Sequence, residues 1–543
     1  MSWLAEQMQK RVRQFVGRWN RPGKNCWGKY NMLSRTAGVL LPLSALPGPY
    51  GCGVLGEEAV AFAARMRQAG LHCWQILPSV QPGAGNSPYT SLSAFAGNLW
   101  YLDPRRLAED GLLTEEEAEQ GVYPGEPYCV DYEWLQQNRL ALLHKAYARA
   151  STELLRQAES FAKEHVWVEE YACFMALREI YSGLPYWQWP DEKLRMHESA
   201  AVEEFAAAHS EEVGFWRLMQ LLFYRQWMRL KAELDELGIA LIGDMPIYVD
   251  LDSADTWAHA QLFLLEQPGK PLLVAGTPPD YFSEDGQLWG NPLYDWQAMA
   301  RENYHWWIER LSWQLELCHS VRIDHFRAFE SFWAIPAQSE SASEGKWLSG
   351  PGMALFDAVR QELGEVPVIA EDLGLIDEKV RAFLRQTGFP GMRVLQFAFT
   401  PGAESLHLPH CYTQNCVAYT GTHDNNTALG YLWEASPEER SFALAYCGAE
   451  DADWEKGGSQ APGVRALLCA VWQSPAALAI APIQDLCGFG ADTRMNIPGT
   501  PEGNWRYRLT SQALASVDCD WIARLCRLYA RDHAFEYHTE VLC

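Results

Sequence analysis

The sequence has no long hydrophobic run and no paired cysteine motif, and each absence excludes a class of protein. The longest apolar stretch, residues 469–483, is interrupted by Gln473, Ser474 and Pro475, whereas a membrane span needs about 20 consecutive apolar residues. The 14 cysteines are scattered without a C-x-x-C pair, so neither a zinc site nor a disulfide framework is predicted. We therefore expect no membrane association, and buried free thiols in a reducing cytoplasm.

Positive charge is also scarce. The chain has 44 Lys and Arg against 69 Asp and Glu, which gives a formal net charge of -25. Because nucleic-acid binding needs a basic surface, we expect no nucleic-acid partner; the same balance argues against anionic membranes and acidic substrates. The exception is a basic N-terminal extension, residues 1–36. We interpret it as an exposed helix and linker, with an Arg-rich transit peptide as the alternative; it lacks the apolar core of a secretory signal.

What the sequence does contain is a recurring pattern of short, β-rich apolar runs that end in polar residues. These runs occupy residues 37–42, 72–78, 239–248, 320–325, 366–372, 392–399, 417–424 and 476–485. Helical stretches lie between most of them, and this alternation is typical of a parallel sheet covered on both faces. A count of eight predicts an α/β fold, a (β/α)8 TIM barrel over residues 37–535. A doubly wound open sheet is the alternative.

The spacing of the runs is uneven and predicts two insertions in the barrel. Residues of about 86–235 exceed one crossover helix and carry helical patterns, so we expect a large, mainly helical insertion there. Residues of about 250–310 are rich in Trp, Tyr, Pro and Gly and predict an irregular, aromatic-rich loop insertion. We find no internal repeat and no low-complexity segment.

Three carboxylates, Asp324, Glu371 and Asp424, stand at the ends of predicted strands, and Asp244 is a fourth candidate. In a barrel, functional groups lie at the carboxyl ends of the strands, so these side chains are expected to meet. Two carboxylates on either side of a glycosidic bond are what retaining glycoside chemistry needs. Taken alone, each is more often a helix cap or an ion-pair partner. Their joint occurrence near aromatic loops favours a catalytic site.

The stretch "SVRIDHFRAFE", Ser320 to Glu330, places charges inside a strand-like run. Strand alternation puts Arg322 and Asp324 on one face, with Ile323 on the other. A neighbouring guanidinium favours the ionised form of a carboxylate, and an ionised carboxylate is what a nucleophile requires. A structural Arg–Asp pair explains the same residues, and the pattern alone does not separate the two interpretations.

A set of longer motifs adds a resemblance. The stretches "GDMPIYV", "VRIDHFRAF", "VIAEDLG" and "YTGTHDNNT" together resemble the signature regions of the α-amylase clan. More narrowly, "GVLLPLSALPGPYGCGVLG", "NSPYTSLSAFAGN", "GTPPDYFSEDGQLWGNPLYDW" and "TRMNIPG" resemble the 4-α-glucanotransferases (amylomaltases or disproportionating enzymes) of glycoside hydrolase family 77. The resemblance runs from about Gly38 to about Arg524. Thr90 and Leu99 depart from it, because the family usually has Gln and Pro there.

The resemblance implies a role for each matching residue. Asp324 matches the nucleophile, Glu371 the general acid and base, and Asp424 the third carboxylate, which holds sugar hydroxyls and stabilises the transition state. The resemblance, with the place of Asp244 in the third predicted strand, predicts a set of glucan-binding residues. They are Ser87, Tyr89, Asp244, Tyr281, Phe282, Gln287, Trp289, Arg322, Asp372 and His423. The family is not known to need a metal, so we expect no metal and no other cofactor.

The implied activity is retaining transfer of an α-1,4-glucan segment to the 4-hydroxyl of another glucan or of glucose. Donors and acceptors would be maltodextrins, maltotriose, glycogen or amylose. Two other functions compete: an α-glucan hydrolase of the α-amylase type, and a catalytically inactive glucan-binding protein. The stretch "GCGVLG" satisfies G-x-G-x-x-G, but it does not follow its strand tightly, so a dinucleotide site is not predicted.

Overall fold

The computed structural model describes residues 29–541 except 280–284, 401, 403–404 and 501. Within these residues, eight parallel strands form the central sheet, and each overlaps one of the eight apolar runs that predict it. In chain order the strands are β1 (Thr36–Leu40), β2 (Cys73–Gln75), β3 (Ala240–Met245), β4 (Ser320–Ile323), β5 (Val368–Ala370), β6 (Gly391–Val394), β7 (Cys416–Tyr419) and β8 (Leu478–Pro482).

The strands follow one another around a nearly closed ring. Their order is β5-β4-β3-β2-β1-β8-β7-β6, and every neighbouring pair is parallel. The two ends of this sheet meet, because the Ala370 N–H donates to the carbonyl of Pro390, the residue before β6, at 2.9 Å. The predicted (β/α)8 barrel is therefore confirmed, and the doubly wound open sheet is not observed.

Strand alternation sorts the barrel residues between an interior and an outer layer. In β8, Leu478 and Ile480 belong to the cluster that fills the barrel interior, whereas Ala479 and Ala481 belong to the larger core shared with the surrounding helices. Branched and aromatic side chains inside, with small ones beneath the helices, suit the closed geometry of a barrel. The same parity turns Arg322 of β4 towards the interior, because its neighbours Val321 and Ile323 pack in the outer core.

Helices fill most of the segment between β2 and β3, where the helical insertion is predicted. The first of them begin at Asp103 and Thr114, whose side chains cap the first turn. The last ends at Gly238, whose φ of 70° allows a left-handed C-cap directly before β3. The α-helices are Pro104–Glu109, Glu115–Gln120, Tyr132–Trp134, Leu140–Ala148, Thr152–Glu164, Val166–Ile180, Glu192–Arg195, Ser199–Ala208 and Ser210–Leu237, with a π-helical turn at Leu135–Arg139.

An antiparallel sheet of four strands, which we call the outer sheet, is built from two separate segments. In spatial order its strands are Lys346–Ser349, Ser331–Pro336, Leu273–Thr277 and Gln287–Pro292. The last two come from the predicted aromatic-rich insertion, which also holds a small hairpin, Leu265–Gln267 with Lys270–Pro271. The first two follow β4, and the sequence analysis did not predict them.

The other helices cover the barrel, and one strand pair joins the two ends of the described chain. The strands Lys29–Leu33 and Tyr537–Val541 pair antiparallel; residues 1–28 of the predicted basic extension lie outside the described residues. None of the described helices combines the length and the hydrophobicity needed to cross a membrane. The remaining α-helices are Glu57–Gln68, Ala254–Ala258, Trp296–Arg301, His305–Leu317, Met353–Leu363, Glu378–Thr387, Ala428–Glu434, Pro437–Tyr446, Pro462–Gln473, Ile483–Cys487, Ser511–Ser516 and Cys519–Leu528.

Candidate active site

The predicted carboxylates meet at one end of the barrel. Asp324 directly follows β4, Glu371 directly follows β5, and Asp424 lies in the loop after β7, while Asp244 is inside β3. All of the strands are parallel, so these positions share the carboxyl-terminal mouth of the barrel, where barrel enzymes carry their active sites. Hydrogen bonds join two of them, Asp244 and Asp324, through one arginine.

Arg322 is the centre of this network. Its Nη1 donates to Asp244 Oδ1 and Oδ2 at 2.7 and 3.0 Å, and its Nη2 donates to Asp324 Oδ1 at 2.8 Å. Arg322 is only 4 % exposed, whereas the Asp324 side chain is 31 % exposed. The predicted placement of Arg322 and Asp324 on one strand face is correct. A buried guanidinium thus holds one carboxylate inside the barrel and a second one at its open mouth.

A hydrogen bond between Asp244 and Tyr89 extends the network around Arg322. Tyr89 donates its hydroxyl hydrogen to Asp244 Oδ2 at 2.7 Å, and its ring stacks on His423 with centroids 5.0 Å apart. Burial raises the pKa of Asp244, and the charge of Arg322 acts in the opposite direction. Burial also raises the pKa of Tyr89, so its hydroxyl stays a donor. Ser87 supports this loop, because its Oγ accepts the Tyr89 N–H at 3.2 Å.

Glu371 is buried and held by two backbone amides. The His325 N–H donates to Oε2 and the Leu373 N–H donates to Oε1, both at 2.7 Å. Burial, and then the negative charge of Asp324, raise the pKa of Glu371 to about 7, although Arg322 and the Leu373 amide act against the shift. A carboxyl group with such a pKa can both donate and accept a proton near neutrality.

The pKa of Asp424 is lowered, in contrast to that of Glu371. Its Oδ2 lies 3.3 Å from His423 Nε2, and its Oδ1 accepts a hydrogen bond from Asn496 Nδ2 at 2.6 Å. Burial acts to raise the pKa of Asp424, but the charge and hydrogen bond of His423, with the Asn496 bond, outweigh it and hold the pKa at about 2. Burial acts to lower the pKa of His423, and Asp424 raises it overall. Asp424 is therefore an anion at any working pH.

The Asp372 carboxylate is bound by groups of the protein itself. Its Oδ1 accepts the Met392 N–H at 2.6 Å, and its Oδ2 accepts a hydrogen bond from Arg393 Nη1 at 3.1 Å. Gly391 makes room for it, since a Cβ at that position would lie 2.6 Å from Asp372 Oδ2. Asp372 thus braces the end of β5 against β6, beside Glu371. Its contact with a donor sugar stays a prediction.

The outer sheet brings part of the predicted aromatic loop to the mouth. Trp289 is 38 % exposed, and its ring meets His325, the residue after Asp324, edge to face with centroids 4.8 Å apart. Its Nε1 donates to Gln287 Oε1 at 3.0 Å. Tyr281 and Phe282, predicted in the same loop, lie outside the described residues. Of this loop, Trp289 is therefore connected to His325, the chain neighbour of Asp324, and Gln287 to Trp289.

Comparison with known proteins agrees with this geometry. The family model of the 4-alpha-glucanotransferases, glycoside hydrolase family 77, matches residues 41–514. The chain belongs to this family. The 4-alpha-glucanotransferase of Thermus thermophilus is 47% identical over 88% of this chain and 95% of its own length. The chloroplastic/amyloplastic 4-alpha-glucanotransferase of Solanum tuberosum is 42% identical over 88% of this chain and 82% of its own length.

A solved structure is similar over nearly the whole molecule. The amylomaltase from Streptococcus agalactiae, in complex with acarbose, has a TM-score of 0.87 at 35% identity and covers 92% of this chain and 99% of its own. The two sequence relatives are named 4-alpha-glucanotransferases, and the solved structure is named an amylomaltase. Membership of the 4-alpha-glucanotransferase family makes the chain an enzyme of the glycosyltransferase type, and a hydrolase of the α-amylase type is the less favoured alternative.

The glucanotransferase site also contains residues to which the sequence analysis gave no role. Arg494 Nη2 donates to the Asp424 carbonyl at 2.6 Å, beside Asn496 on the Asp424 carboxylate. Both belong to "TRMNIPG", a motif quoted for the resemblance without a role for its members. Trp505 and His325 are further examples. Nothing in the local pattern links them to the carboxylates, because the contacts arise only when distant loops meet. Among the described residues, no group of His, Cys, Asp and Glu could hold a metal ion.

Proposed function

We propose that this chain transfers segments of α-1,4-glucans by a retaining double displacement, with Asp324 as nucleophile and Glu371 as general acid and base. One observation carries the proposal: Arg322 binds Asp324 at 2.8 Å, while burial and the charge of Asp324 raise the pKa of Glu371 to about 7. Retaining glycoside chemistry needs this division between an ionised carboxylate and a protonated carboxyl group.

In the first step, a carboxylate oxygen of Asp324 attacks C1 of the donor sugar. The bond from C1 to the glycosidic oxygen breaks, its electron pair goes to that oxygen, and Glu371 supplies the proton. The products are a β-glycosyl ester on Asp324 and a released glucan with a free 4-hydroxyl. Arg322 orients Asp324 for the attack through the charged hydrogen bond from its Nη2 to Asp324 Oδ1 at 2.8 Å.

In the second step, the 4-hydroxyl of an acceptor glucan attacks the same C1. Glu371 takes the hydroxyl proton, the ester bond to Asp324 breaks, and the carboxylate leaves with the electron pair, so both residues return to their starting states. Because the ester removes the negative charge of Asp324, one cause of the raised pKa of Glu371 disappears. Glu371 therefore stays ionised until the acceptor arrives. Two inversions at C1 restore the α-configuration.

Asp424, His423 and Tyr89 form the donor side of the site in this proposal. A carboxylate with a pKa of about 2 keeps its negative charge beside the oxocarbenium-like transition state, whose positive charge it stabilises. His423 and Tyr89 hold two carboxylates on this side of the site, Asp424 and Asp244 respectively. Ser87 contributes by fixing the loop that carries Tyr89.

Transfer exceeds hydrolysis only if an acceptor glucan reaches the ester more readily than water does. The half-exposed Trp289 offers an apolar face beside His325, the residue after the nucleophile, and tryptophan rings pack well against the apolar faces of sugars. We infer that Gln287 and Trp289, with Tyr281 and Phe282, bind the acceptor glucan and limit the access of water.

We propose maltodextrins, maltotriose, glycogen or amylose as donors and acceptors, and the cytoplasm as the place of reaction. The names of the relatives support the substrate class. The described cysteines support a reducing compartment, because they are free thiols and most of them are buried. No cofactor enters the proposed chemistry, since the two carboxyl groups balance every proton.

Incubation with maltotriose alone tests the reaction. A ladder of longer glucans with released glucose is expected for transfer, shortening without elongation would indicate a hydrolase, and no change would indicate a binding protein. Asp324→Asn, Glu371→Gln and Asp424→Asn should each lower the transfer rate at least about a thousandfold. Asp520→Asn, an exposed acid on the distant helix Cys519–Leu528, is the matched control and should change nothing. Full activity in any of the first three would remove that residue from the mechanism.

Trapping the ester tests the nucleophile directly. In Glu371→Gln, α-glucosyl fluoride can still react in the first step, because the departing fluoride ion needs no proton from Glu371. The second step then lacks its base, so the ester should accumulate. Intact-mass spectrometry should show one added glucosyl unit, and peptide mapping should locate it on Asp324. An adduct on another residue would contradict the assignment.

A further inference from the structure

The loop of residues 491–507, which follows the short helix Ile483–Cys487 after β8, meets the donor side of the site from outside the barrel. Arg494 and Asn496 bind the backbone and side chain of Asp424. Further along the loop, Trp505 reaches two other residues of the same side, Tyr89 and His423. The first two contacts are polar and hold Asp424 directly. Trp505 offers only a ring, and its contacts call for a separate explanation.

Trp505 has an unusual backbone conformation. Its φ is 62°, in the left-handed region that bulky L-residues rarely adopt. Such a conformation persists only where the surroundings enforce it, and it is concentrated at functional sites. His325, whose N–H holds Glu371, shares this feature with a φ of 49°. The backbone of Trp505 is therefore held against its own preference.

The contacts of the Trp505 ring explain what this conformation achieves. Its centroid lies 5.7 Å from Tyr89 and 5.8 Å from His423, and those two rings are themselves stacked at 5.0 Å. Tyr89 is hydrogen-bonded to Asp244, which Arg322 connects to Asp324. His423 is paired with Asp424. Trp505 thus packs against both branches of the network, the one that ends at the nucleophile and the one that ends at the third carboxylate.

The helical insertion holds the backbone of Trp505 in place. Tyr132 donates its hydroxyl hydrogen to the Trp505 carbonyl at 2.7 Å, while the Trp505 N–H donates to the Met495 carbonyl at 2.8 Å. Directly after Trp505, the Val130 N–H donates to the Arg506 carbonyl, and the Arg508 N–H donates to the Tyr128 carbonyl, both at 2.8 Å. Residues 128–132 therefore clamp the loop at the point where Trp505 adopts its strained conformation.

We propose that Trp505 is a positioning residue for the transfer reaction, and that Tyr132 of the helical insertion fixes it in this role. The inference rests on the proposed function. Without the Trp505 ring, Tyr89 and His423 lose their common contact, and the hydrogen bonds from Tyr89 to Asp244 and from His423 to Asp424 lose their fixed geometry. Since small displacements of positioned groups reduce rates strongly, the chemical step should slow while the acceptor site is unaffected.

Three variants test this inference. Trp505→Ala removes the ring, Trp505→Phe keeps a smaller one, and Tyr132→Phe deletes only the hydroxyl that holds the Trp505 carbonyl. The matched control is Trp521→Phe, because Trp521 is a half-buried tryptophan on a distant helix, where it packs against Arg465. Each variant is assayed with α-maltosyl fluoride as donor and glucose as acceptor, after the folded fraction has been measured.

The expected result is a selective loss of kcat. Trp505→Ala should lower kcat at least about tenfold, with smaller losses in Trp505→Phe and Tyr132→Phe, an unchanged KM for glucose and an unchanged Trp521→Phe control. With maltotriose as donor, the fall of kcat/KM above pH 7 should keep its midpoint, because Trp505 does not touch Glu371. The affinity for acarbose, measured by calorimetry, should weaken in Trp505→Ala, since the donor side is displaced.

Several outcomes would overturn the inference. Unchanged kcat in Trp505→Ala and Tyr132→Phe would show that the ring positions nothing. A raised KM for glucose with unchanged kcat would make Trp505 an acceptor contact instead, and a displaced pH midpoint would mean general loosening of the mouth. If Trp505→Ala does not fold, Tyr132→Phe decides alone. Failure of the proposed function itself is distinguishable, because the wild-type enzyme would then transfer nothing to glucose in the same assay.

Discussion

At the scale of single residues, Glu371 and Asp424 share one barrel mouth, and their surroundings move their pKa values in opposite directions. Burial dominates for Glu371 and raises its pKa to about 7. For Asp424, His423 and Asn496 outweigh burial and hold the pKa at about 2. Such a separation gives two carboxyl groups in one site different roles, because Glu371 can exchange a proton near neutrality whereas Asp424 stays an anion. The sequence places both residues at strand ends, but the separation depends on contacts that only the fold creates.

The pH dependence of activity should follow Glu371. The free enzyme needs Glu371 protonated, so kcat/KM for maltotriose should fall about tenfold per pH unit above a midpoint near 7. Asp424 titrates at about pH 2, so its ionisation should not limit the rate between about pH 4 and pH 7. A steady-state profile over this range and up to about pH 9 measures the plateau and the fall above pH 7. A plateau that continues to pH 9 would contradict the role of Glu371 as the acid.

The Asp324 charge should be visible in the titration of Glu371. In Asp324→Asn the like charge is removed, so the pKa of Glu371 should fall below 7; it should stay above the ordinary value of a glutamate because burial, the larger cause, remains. NMR of ¹³C-labelled glutamate measures this pKa, with Glu371→Gln to assign the signal. An unchanged pKa would mean that the two carboxyl groups do not interact. The same fall is expected when the ester forms on Asp324 during turnover.

At the scale of elements, the barrel is predictable from the sequence and the outer sheet only in part. The barrel strands are continuous apolar runs because they are buried on both sides, as in β3 and β8. The strands Ser331–Pro336 and Lys346–Ser349 are short and partly exposed. Ser331–Pro336 pairs with Leu273–Thr277, which lies far away in the sequence. Local patterns cannot report such pairing, and so this half of the outer sheet is missing from the sequence analysis.

The outer sheet should control the balance between transfer and hydrolysis through one face of its strand Gln287–Pro292. Trp289→Ala is expected to raise the share of hydrolysis severalfold and to raise the KM for acceptor glucose, because an apolar surface beside the nucleophile is lost. Product analysis with maltotriose gives the ratio of free glucose to elongated glucans. Leu288→Ala is the matched control, since Leu288 is also exposed and strand alternation turns it to the other face. An equal change in both variants would exclude a specific role for Trp289.

At the scale of the whole molecule, the two ends of the barrel have different tasks. The carboxyl end carries the charged network, and the amino end carries a second buried group, Arg531, which is 0 % exposed. Arg531 donates to carbonyl oxygens at the end of helix Pro462–Gln473 and at the starts of β1 and β8. These belong to Trp472, Ser474, Ala476, Ala477 and Thr36, at 2.7 to 3.1 Å.

Arg35 shares this arrangement from the other end of the chain. Its guanidinium donates to the carbonyls of Trp472, Ser474 and Ala476, and also to that of Tyr529. Burial, and then the charge of Arg35, lower the pKa of Arg531 to about 9. The carbonyl groups at a helix carboxyl end carry the negative end of the helix dipole, which favours cations there. The two arginines therefore join both ends of the described chain to the amino end of the barrel.

Substitution of Arg531 should reduce stability and leave catalysis intact. Arg531→Met removes five buried hydrogen bonds, and a hydrogen bond to a charged group contributes about 1.5–3 kcal/mol, so the free energy of unfolding should fall by at least about 3 kcal/mol. Arg531→Lys keeps the charge but has only three donors, so a smaller loss is expected. Urea unfolding measures both against Arg527→Met, an exposed neighbour. The folded fraction should keep its kcat, because this end of a barrel serves stability. A lowered kcat with unchanged unfolding would contradict this division between the two ends.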